Sequence, residues 1–191
     1  MRTGILICGL NGTGKSTLGK ALAEKLNYHF IDNEDLYFPK TDPRHLYASP
    51  RSRSEVEGLL LQQIEAQDHF VFASVKGDYG EAVISRFQCA VLIQVPRQIR
   101  LQRVRNRSFQ RFGARMLPGG DLYDSEERFF TIVESRPENS VEEWACSLNC
   151  PVIRIDGTRP IAENLGLLTE YMAAALPDDR STSAEQAYRL L

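Results

Sequence analysis

Residues 9–17, GLNGTGKST, contain three glycines, then a lysine and two hydroxyl side chains, directly after an apolar run. The segment fits the phosphate-binding pattern G-x-x-x-x-G-K-[ST], in which glycines let the backbone curve so that its N–H groups face an anion. The following helix adds the positive end of its dipole. A chance match in a strand-to-helix turn is the alternative, but the required strand precedes and the required helix follows. The expected nucleoside triphosphate site comprises Gly9, Asn11, Gly12, Thr13, Gly14, Lys15, Ser16 and Thr17.

Within this loop, Lys15 is expected to reach the β- and γ-phosphates of ATP, and the Ser16 hydroxyl to ligate Mg²⁺. The loop alone does not distinguish classes of nucleotide-hydrolysing and nucleotide-transferring proteins. No N-K-x-D guanine motif occurs, and neither Phe70–Ser74 nor Ala90–Val95 ends in the acidic pair that is usual in ATP-driven motors. The remaining common class is the small kinase.

Acidic residues follow the second apolar run, in HFIDNEDLYF at residues 29–38. Ligands of open α/β sheets bind at the carboxyl ends of strands, so Asp32 is expected beside the phosphate loop. There its carboxylate would orient Mg²⁺ and its waters, or accept a proton from the attacking hydroxyl. The alternative is a solvated acidic turn that caps the next helix, and it stays fully open for Glu34 and Asp35.

Between Arg97 and Gly120 the chain has seven arginines and no lysine, aspartate or glutamate. Arginine suits bidentate contact with phosphate oxygens, and Arg100, Arg103 and Arg107 share one helical face. Gly113 and residues 118–120 (PGG) predict turns and hinges. A mobile flap that carries cations and excludes water is what phosphoryl transfer requires. A solvated helix face, favoured for Arg97 and Arg105, and an RNA-binding patch are the alternatives.

These residues need a scaffold, and short apolar runs alternate with longer amphipathic ones along the chain. Strand–helix alternation predicts an open α/β sheet. Capping boxes are expected at Asp124 with Glu127 and at Ser140 with Glu143, and a last helix from Pro160. The predicted strands are Gly4–Cys8, Tyr28–Ile31, Phe70–Val75, Ala90–Val95 and Val152–Ile155.

The bulk composition indicates a globular protein, with 191 residues, 42% hydrophobic and 25% charged. A net charge of −2 argues against general affinity for nucleic acid or an anionic membrane. No apolar run approaches the ~18–20 residues that span a bilayer, and the N-terminus does not resemble a signal peptide. Four cysteines without a zinc pattern predict free, buried thiols in a reducing cytoplasm.

Taken together, these segments resemble the nucleoside-monophosphate-kinase and shikimate-kinase branch of P-loop kinases, the adenylate-kinase-like type. The resemblance rests on residues 9–17, Phe30–Asp32, Arg103-x-x-x-Arg107 and Asp156–Thr158. It implies a three-layer α/β P-loop NTPase fold, in which a five-stranded parallel sheet is flanked by helices and carries a lid. The domain is expected over 1–177, with an acceptor-binding region at about 33–66, a lid at about 108–135 and a loosely held tail at 178–191.

The resemblance also implies roles. Arg103 and Arg107 are similar to the lid-base pair that contacts ATP, and Arg136 is similar to the arginine that arrives from the far side of the lid. The catalytic set is then Lys15, Asp32, Arg103, Arg107 and Arg136, with Ser16 and Asp32 at the metal. Backbone of Asp156, Gly157 and Thr158 would lie against adenine. The resemblance implies a Mg-ATP-dependent enzyme that acts on a small-molecule acceptor. It also implies a monomer or a weak homodimer.

The acceptor side departs from the family. Glu34 stands where shikimate kinases have a second aspartate, and residues 74–78, SVKGD, replace the usual glycine-rich end of the third strand. A nucleotide, a sugar acid and another hydroxylated metabolite stay open as acceptors, as does an ATP-binding regulatory or RNA-associated protein with slow ATPase activity. Candidate acceptor-binding residues are Glu34, Asp35, Arg51, Arg53, Lys76 and Asp78, the last two of which fit a surface turn nearly as well.

Overall fold

The structure is a computed structural model that describes residues 3–39 and 50–175. Its five strands are all parallel and form one sheet in the order β2-β3-β1-β4-β5, which confirms the predicted fold class. The predicted strands are present, although β4 begins three residues earlier than the apolar run indicated. They are β1 (Thr3–Cys8), β2 (His29–Asp32), β3 (His69–Ala73), β4 (Phe87–Gln94) and β5 (Val152–Asp156).

Helices cover both faces of this sheet, as its strands require when they are apolar on both sides. Helices α1 and α8 pack on one face, whereas α3, α4 and α7 pack on the other. The helices are α1 (Lys15–Leu26), α2 (Asn33–Tyr37), α3 (Arg53–Glu65), α4 (Glu81–Ile84), α5 (Arg97–Phe112), α6 (Tyr123–Glu134), α7 (Ser140–Ala145) and α8 (Ile161–Ala175), with a 3₁₀ turn at Gly113–Met116.

Alternation along β1 divides the core between the two faces. Ile5 and Ile7 pack with Leu22 of α1 and Leu168 of α8. Leu6 points the other way and packs with α3 and α7 side chains. Full burial of a side chain of this size stabilises the fold by ~1.5–3 kcal/mol, so β1 anchors the loop that follows it on both faces.

The strand register brings the functional ends of the strands together. Asp32 at the end of β2 and Ile7 near the end of β1 both lie opposite Ala73 of β3. On the other side, Gln94 of β4 lies opposite Asp156 of β5. Because the strands are parallel, the segments after each of them emerge at the same edge, which is the ligand edge of an open α/β sheet.

A second, smaller core lies in the segment predicted as a lid and the end of α5 that precedes it. Val104 of α5, Met116 of the 3₁₀ turn, and Phe130 and Val133 of α6 form a buried cluster. Gly113 separates α5 from the 3₁₀ turn with a φ of 56°, a conformation that glycine adopts without steric cost. The stretch predicted as a lid is therefore a helical hairpin with its own apolar interior.

Several local predictions are corrected. Neither predicted capping box forms, because α6 begins at Tyr123 and α7 at Ser140, which places Asp124 and Ser140 inside the helices, where they cannot cap. The capping box present joins Ser52 and Glu55 at the start of α3.

The cysteines are free, but Cys146 is exposed, so the expectation that all four thiols are buried is wrong. In the described parts of the chain, no helix is both long and apolar enough to cross a membrane. The predicted tail at 178–191 lies outside the described residues.

Candidate functional site

The predicted phosphate loop, residues 9–17 (called the phosphate loop below), adopts a conformation that needs its glycines. Gly12 and Gly14 have φ values of 82° and 94°. Residues other than glycine rarely adopt such values, because their Cβ then crowds the carbonyl oxygen. The Thr13 hydroxyl donates to the Leu10 carbonyl at 2.9 Å and closes the turn. Helix α1 starts at Lys15 with no side-chain cap, so the amides of its first turn lack intrahelical partners and suit an anion.

Lys15 lies over this loop, and its Nζ donates to the Leu10 carbonyl at 3.0 Å. Burial lowers the pKa of its ammonium from 10.5 to about 8. The Asp32 carboxylate opposes that shift, and the positive charges of Arg107 and Arg136 add to it. The side chain is therefore a cation in a positive, poorly solvated setting, which a polyphosphate would relieve.

A cavity of about 810 Å³ is lined by Lys15 and by residues of the loop, of the predicted acceptor-binding region and of the predicted lid. Ser16 and Asp32, the residues expected to place Mg²⁺, both line it. Asp32 caps α2, and its Oδ1 accepts a hydrogen bond from the Glu34 amide at 2.9 Å. That bond fixes the carboxylate at the end of β2, where Asp32 is part of the cavity wall.

The described residues contain no cluster of three or more His, Cys, Asp or Glu side chains of the kind that holds a metal by itself. Mg²⁺ commonly keeps several waters and takes one or two protein oxygens plus substrate phosphates. The Ser16 hydroxyl and the Asp32 carboxylate, both on the cavity wall, are the donor set that fits this mode.

Two arginines from different elements tie down the phosphate loop. Arg136, after α6, donates to Oδ1 of Asn11 at 2.9 Å, and burial lowers the pKa of its guanidinium. Arg100 is 2% exposed; it donates to the Asn11 carbonyl at 3.3 Å and pairs with Glu138 at 2.6 Å. The sequence placed Arg100 with the lid cations, but the structure makes it a support for the loop.

The other arginines of α5 contact different residues. Arg103 donates to the carbonyl of Gly157 at 3.0 Å, which brings the expected lid-base residue against the expected adenine-side turn. Arg107 and Arg111 lie 3.7 and 3.5 Å from the two carboxylate oxygens of Glu34. These ion pairs join α5 to α2, and thereby the base of the predicted lid to the predicted acceptor-binding region, at the cavity wall. Arg115 instead pairs with Asp121 at 2.6 Å.

The turn after β5 is rigidly built. Oδ1 of Asp156 accepts hydrogen bonds from the Thr158 amide at 2.8 Å and hydroxyl at 2.6 Å, which hold the pKa of Asp156 below its usual value. Asn164 of α8 donates to the Asp156 carbonyl at 2.9 Å. Asp156 and Thr158 also line a second cavity of about 570 Å³ behind the phosphate loop, together with Gly9 and Thr13. Thr17 is exposed at the surface of α1.

The predicted acceptor-binding residues divide into two groups. Glu34, Arg53, Lys76 and Asp78 line the large cavity. Arg53 donates to the Asp78 carbonyl and lies 5.5 Å from the centre of the Tyr79 ring.

The remaining two predicted acceptor residues are placed differently. Arg51 donates to the Leu36 carbonyl at 2.7 Å and is absent from the cavity wall, as is the exposed Asp35. The Arg51 guanidinium therefore contacts the last turn of α2 and does not line the cavity.

Sequence reasoning missed several residues of the cavity wall. The Tyr79 hydroxyl donates to Oδ1 of Asn33 at 2.6 Å, which joins the segments after β2 and β3, and burial raises the pKa of Tyr79. Glu126 of α6 is 6% exposed and lines the cavity from the lid side. A signal for Glu126 was present, because it stands at helical spacing from the apolar Phe130 and Val133.

Comparison with known proteins places this chain in a family. The AAA domain family matches residues 5–111, more than half of the chain, from β1 through α5. The chain belongs to the AAA domain family. The matched range contains the phosphate loop, Asp32 and the arginines of α5, and leaves out Arg136 and the turn after β5.

Two curated relatives are similar in sequence. The uncharacterised protein YqaC of Bacillus subtilis strain 168 is 28% identical over 182 residues, which covers 91% of this chain and 99% of that protein. The shikimate kinase of Thermosynechococcus vestitus is 33% identical over 78 residues, 38% of this chain and 42% of that protein. The first similarity spans the whole domain, and the second only a part.

Solved structures share the fold of this AAA domain protein. A gluconokinase from Sinorhizobium meliloti 1021 aligns with a TM-score of 0.50 at 17% identity, covering 90% of this chain and 97% of that one. A sugar kinase from Janibacter sp. HTCC2649 aligns with a TM-score of 0.53 at 12% identity, covering 89% and 94%. At such identities the likeness establishes the fold alone. The predicted resemblance to P-loop small-molecule kinases is confirmed.

Proposed function

We propose that this protein is a kinase that transfers the γ-phosphoryl group of Mg-ATP to a small-molecule acceptor, a nucleotide or a metabolite of similar size. The observation that carries the proposal is the large cavity. It is lined by the phosphate-loop residues Lys15 and Ser16, by Asp32 and by arginines of the lid. One continuous cavity can therefore hold a polyphosphate and a second molecule side by side, as transfer requires.

In this scheme the acceptor hydroxyl attacks the γ-phosphorus in line, the bond to the β-phosphate oxygen breaks, and ADP leaves. The hydroxyl proton passes to Asp32 or to solvent. Lys15, the loop amides and the base-side residues Arg103 and Asp156–Thr158 would hold ATP. Bound Mg²⁺, held by Ser16 with Asp32, would neutralise phosphate charge. Catalysis then rests on positioning and electrostatics, without a covalent enzyme intermediate.

The lid arginines supply the rest of the positive field. Arg136 already contacts the loop, because its guanidinium donates to Oδ1 of Asn11. A guanidinium nitrogen of Arg107 lies 3.7 Å from Oε2 of Glu34 at the cavity wall. Exchange of that carboxylate for a transferring phosphoryl group would place Arg107 on developing charge, where an arginine contributes ~10³–10⁵ in rate. The cavity walls would also exclude water, which competes with the acceptor.

The proposal extends to the setting of the enzyme. The net charge of −2 argues against a general affinity for nucleic acid, and free thiols suit a reducing cytoplasm. The resemblance to small P-loop kinases favours a monomer or weak homodimer. An ATP-binding regulatory protein that associates with RNA is the competing hypothesis, and it predicts tight RNA binding with a steep salt dependence.

The test is acceptor-dependent release of ADP from Mg-ATP over a panel of nucleoside monophosphates, aldonic acids and hydroxylated amino acids. The wild-type protein is expected to release ADP with at least one acceptor class well above its hydrolysis background. The Lys15→Ala variant should release none while keeping its thermal midpoint. Slow hydrolysis across the whole panel together with tight RNA binding would instead establish the regulatory alternative.

A further inference from the structure

Glu126 occupies a position where an apolar residue is expected. The buried residues of α6 are Glu126, Phe130 and Val133, a spacing that forms one stripe on a helix. Phe130 and Val133 pack into the small core of the lid with Val104 and Met116. A carboxylate at the head of that stripe, only 6% exposed, departs from the pattern of the helix that carries it.

One oxygen of this carboxylate has no partner. Oε2 of Glu126 is buried and accepts no hydrogen bond from any of the described residues. Burying a polar group without a partner is destabilising, and more so for a charged group. Other carboxylates of the same helix do have partners, because Glu127 and Glu134 both form ion pairs with Arg105. Among the acidic side chains that the structure describes, Glu126 is the one with a buried oxygen that lacks a partner; the other such buried atoms are Oδ1 of Asn164 and Nδ1 of His69.

Glu126 lines the large cavity, so a molecule bound there could supply the hydrogen-bond donor that Oε2 lacks. Its side chain lines the large cavity from the lid side, together with Ser108 of α5, and Ser125 and Phe129 of α6. Asp32 and Lys15 line the phosphate-loop side of the same cavity. A molecule that offers its hydroxyl to ATP at Asp32 therefore has Glu126 as a wall on the lid side, and a donor group there would satisfy Oε2.

We infer that Glu126 is a specificity-determining residue that accepts a hydrogen bond from an O–H or N–H group of the phosphoryl acceptor. The acceptor class is a small polar molecule with two donor groups: the hydroxyl that is phosphorylated, and a second hydroxyl or an ammonium that reaches the lid. Wall charges of both signs, including Arg111 and Lys76 beside Glu34 and Glu126, suit such a polar acceptor rather than an apolar one. The inference rests on the proposed kinase function and narrows its substrate.

The first experiment needs no acceptor. Thermal unfolding of the unliganded protein is compared for the wild type, Glu126→Gln, Glu126→Leu and the control Glu127→Gln, which changes the neighbouring, partly exposed carboxylate in the same way. Removing an unsatisfied buried carboxylate should raise the midpoint by a few degrees, most for Glu126→Leu because leucine continues the apolar stripe. The control should move it by less than about 1 °C, as surface ion pairs are weak. Lower midpoints for both Glu126 variants would overturn the inference, because the carboxylate would then have a partner within the protein.

The second experiment measures ADP release with the best acceptor from the panel of nucleoside monophosphates, aldonic acids and hydroxylated amino acids. Glu126→Leu should raise the KM for the acceptor about ten- to hundredfold, the loss of one charge-assisted hydrogen bond, and change the KM for ATP less than about twofold. Glu126→Gln keeps an accepting oxygen, so a loss of only a few fold indicates a hydroxyl donor, and a loss as large as that of leucine indicates an ammonium. Substitution of a residue with a purely structural role would not raise the KM for the acceptor while leaving the KM for ATP unchanged.

The two ways of failing are distinguishable. Absence of turnover by the wild type with every panel member would overturn the proposed function and this inference with it. Wild-type turnover whose acceptor KM is unchanged in Glu126→Leu would overturn this inference alone and leave the kinase in place.

Discussion

The contact between the phosphate loop and α5 can be tested by a single methyl group. A Cβ at Gly12 would collide with the carbonyl oxygen of Arg100 and lie 3.0 Å from its Cα and carbonyl carbon. Those atoms belong to helix backbone and cannot rotate away, as a flexible side chain would. A Cβ at Gly14, in contrast, meets nothing within 4 Å. Since Gly12 and Gly14 have similar φ values of 82° and 94°, the pair separates collision from backbone strain.

The expected magnitudes follow from that difference. Placing alanine in a left-handed conformation costs ~1–2 kcal/mol, and both variants bear this cost. Gly12→Ala also overpacks the interface with α5, which adds ~1–3 kcal/mol. In a protein of this size 1 kcal/mol shifts the thermal midpoint by ~2–4 °C. We therefore expect Gly14→Ala to lower the midpoint by several degrees, and Gly12→Ala to lower it by roughly twice as much.

The assays are thermal and urea unfolding of the unliganded variants followed by circular dichroism, which report the midpoint and the free energy of unfolding without involving ATP. Nucleotide affinity of the variants, measured by calorimetry, is a separate readout, because a methyl group at Gly14 can also obstruct a phosphate. Free energies of unfolding that agree within about 0.5 kcal/mol for the two variants would refute the reasoning. The loop and α5 would then not be in the close contact described here.

The remaining predictions concern Lys15 and Arg103. Lys15→Ala should abolish acceptor-dependent ADP release without lowering the thermal midpoint, and turnover equal to the wild type would contradict the proposed role. Because burial lowers the pKa of Lys15 to about 8, the folded state binds fewer protons than the unfolded chain between pH of about 8 and 10.5. Stability should therefore rise with pH across that window in the wild type relative to Lys15→Ala, while ATP affinity, followed by calorimetry, falls above about pH 8. Arg103→Ala should raise the KM for ATP about tenfold with little change in stability, since Arg103 is exposed and contacts the Gly157 carbonyl. The control Arg105→Ala, which removes ion pairs with Glu127 and Glu134 instead, should leave that KM unchanged.

Much of the fold could be predicted from the sequence, because the responsible interactions are local or repetitive. Apolar runs bounded by turn residues specify strands whatever their neighbours are, and all five predicted strands are present. Helix ends were predicted less well. The pairs Asp124/Glu127 and Ser140/Glu143 match a capping box in letters, yet α6 and α7 begin at Tyr123 and Ser140. The residue at which a helix begins depends on tertiary packing as well as on capping hydrogen bonds.

Part of the candidate site was also predictable, for a similar reason. Asp32 is the last residue of β2, and the parallel register brings the end of β2 to the same edge as the end of β1, after which the phosphate loop begins. In contrast, Arg51 and Arg53 are two residues apart and looked equivalent. The structure directs Arg51 to the Leu36 carbonyl and Arg53 to the cavity. Which of two neighbouring arginines faces a ligand depends on contacts made by segments distant in the chain.

The amino-acid sequence by itself determined the phosphate loop. Its glycines permit the positive φ values, and its lysine and hydroxyls follow at fixed spacing, so the geometry arises within nine consecutive residues. Only the tertiary structure decided what the similar arginines of α5 do, with Arg100 buried under the loop and Arg103 on the turn after β5. It also decided that Glu126 is buried and unsatisfied on the cavity wall. Burial and pairing of a charged side chain depend on what the rest of the fold places around it, and no local pattern contains that information.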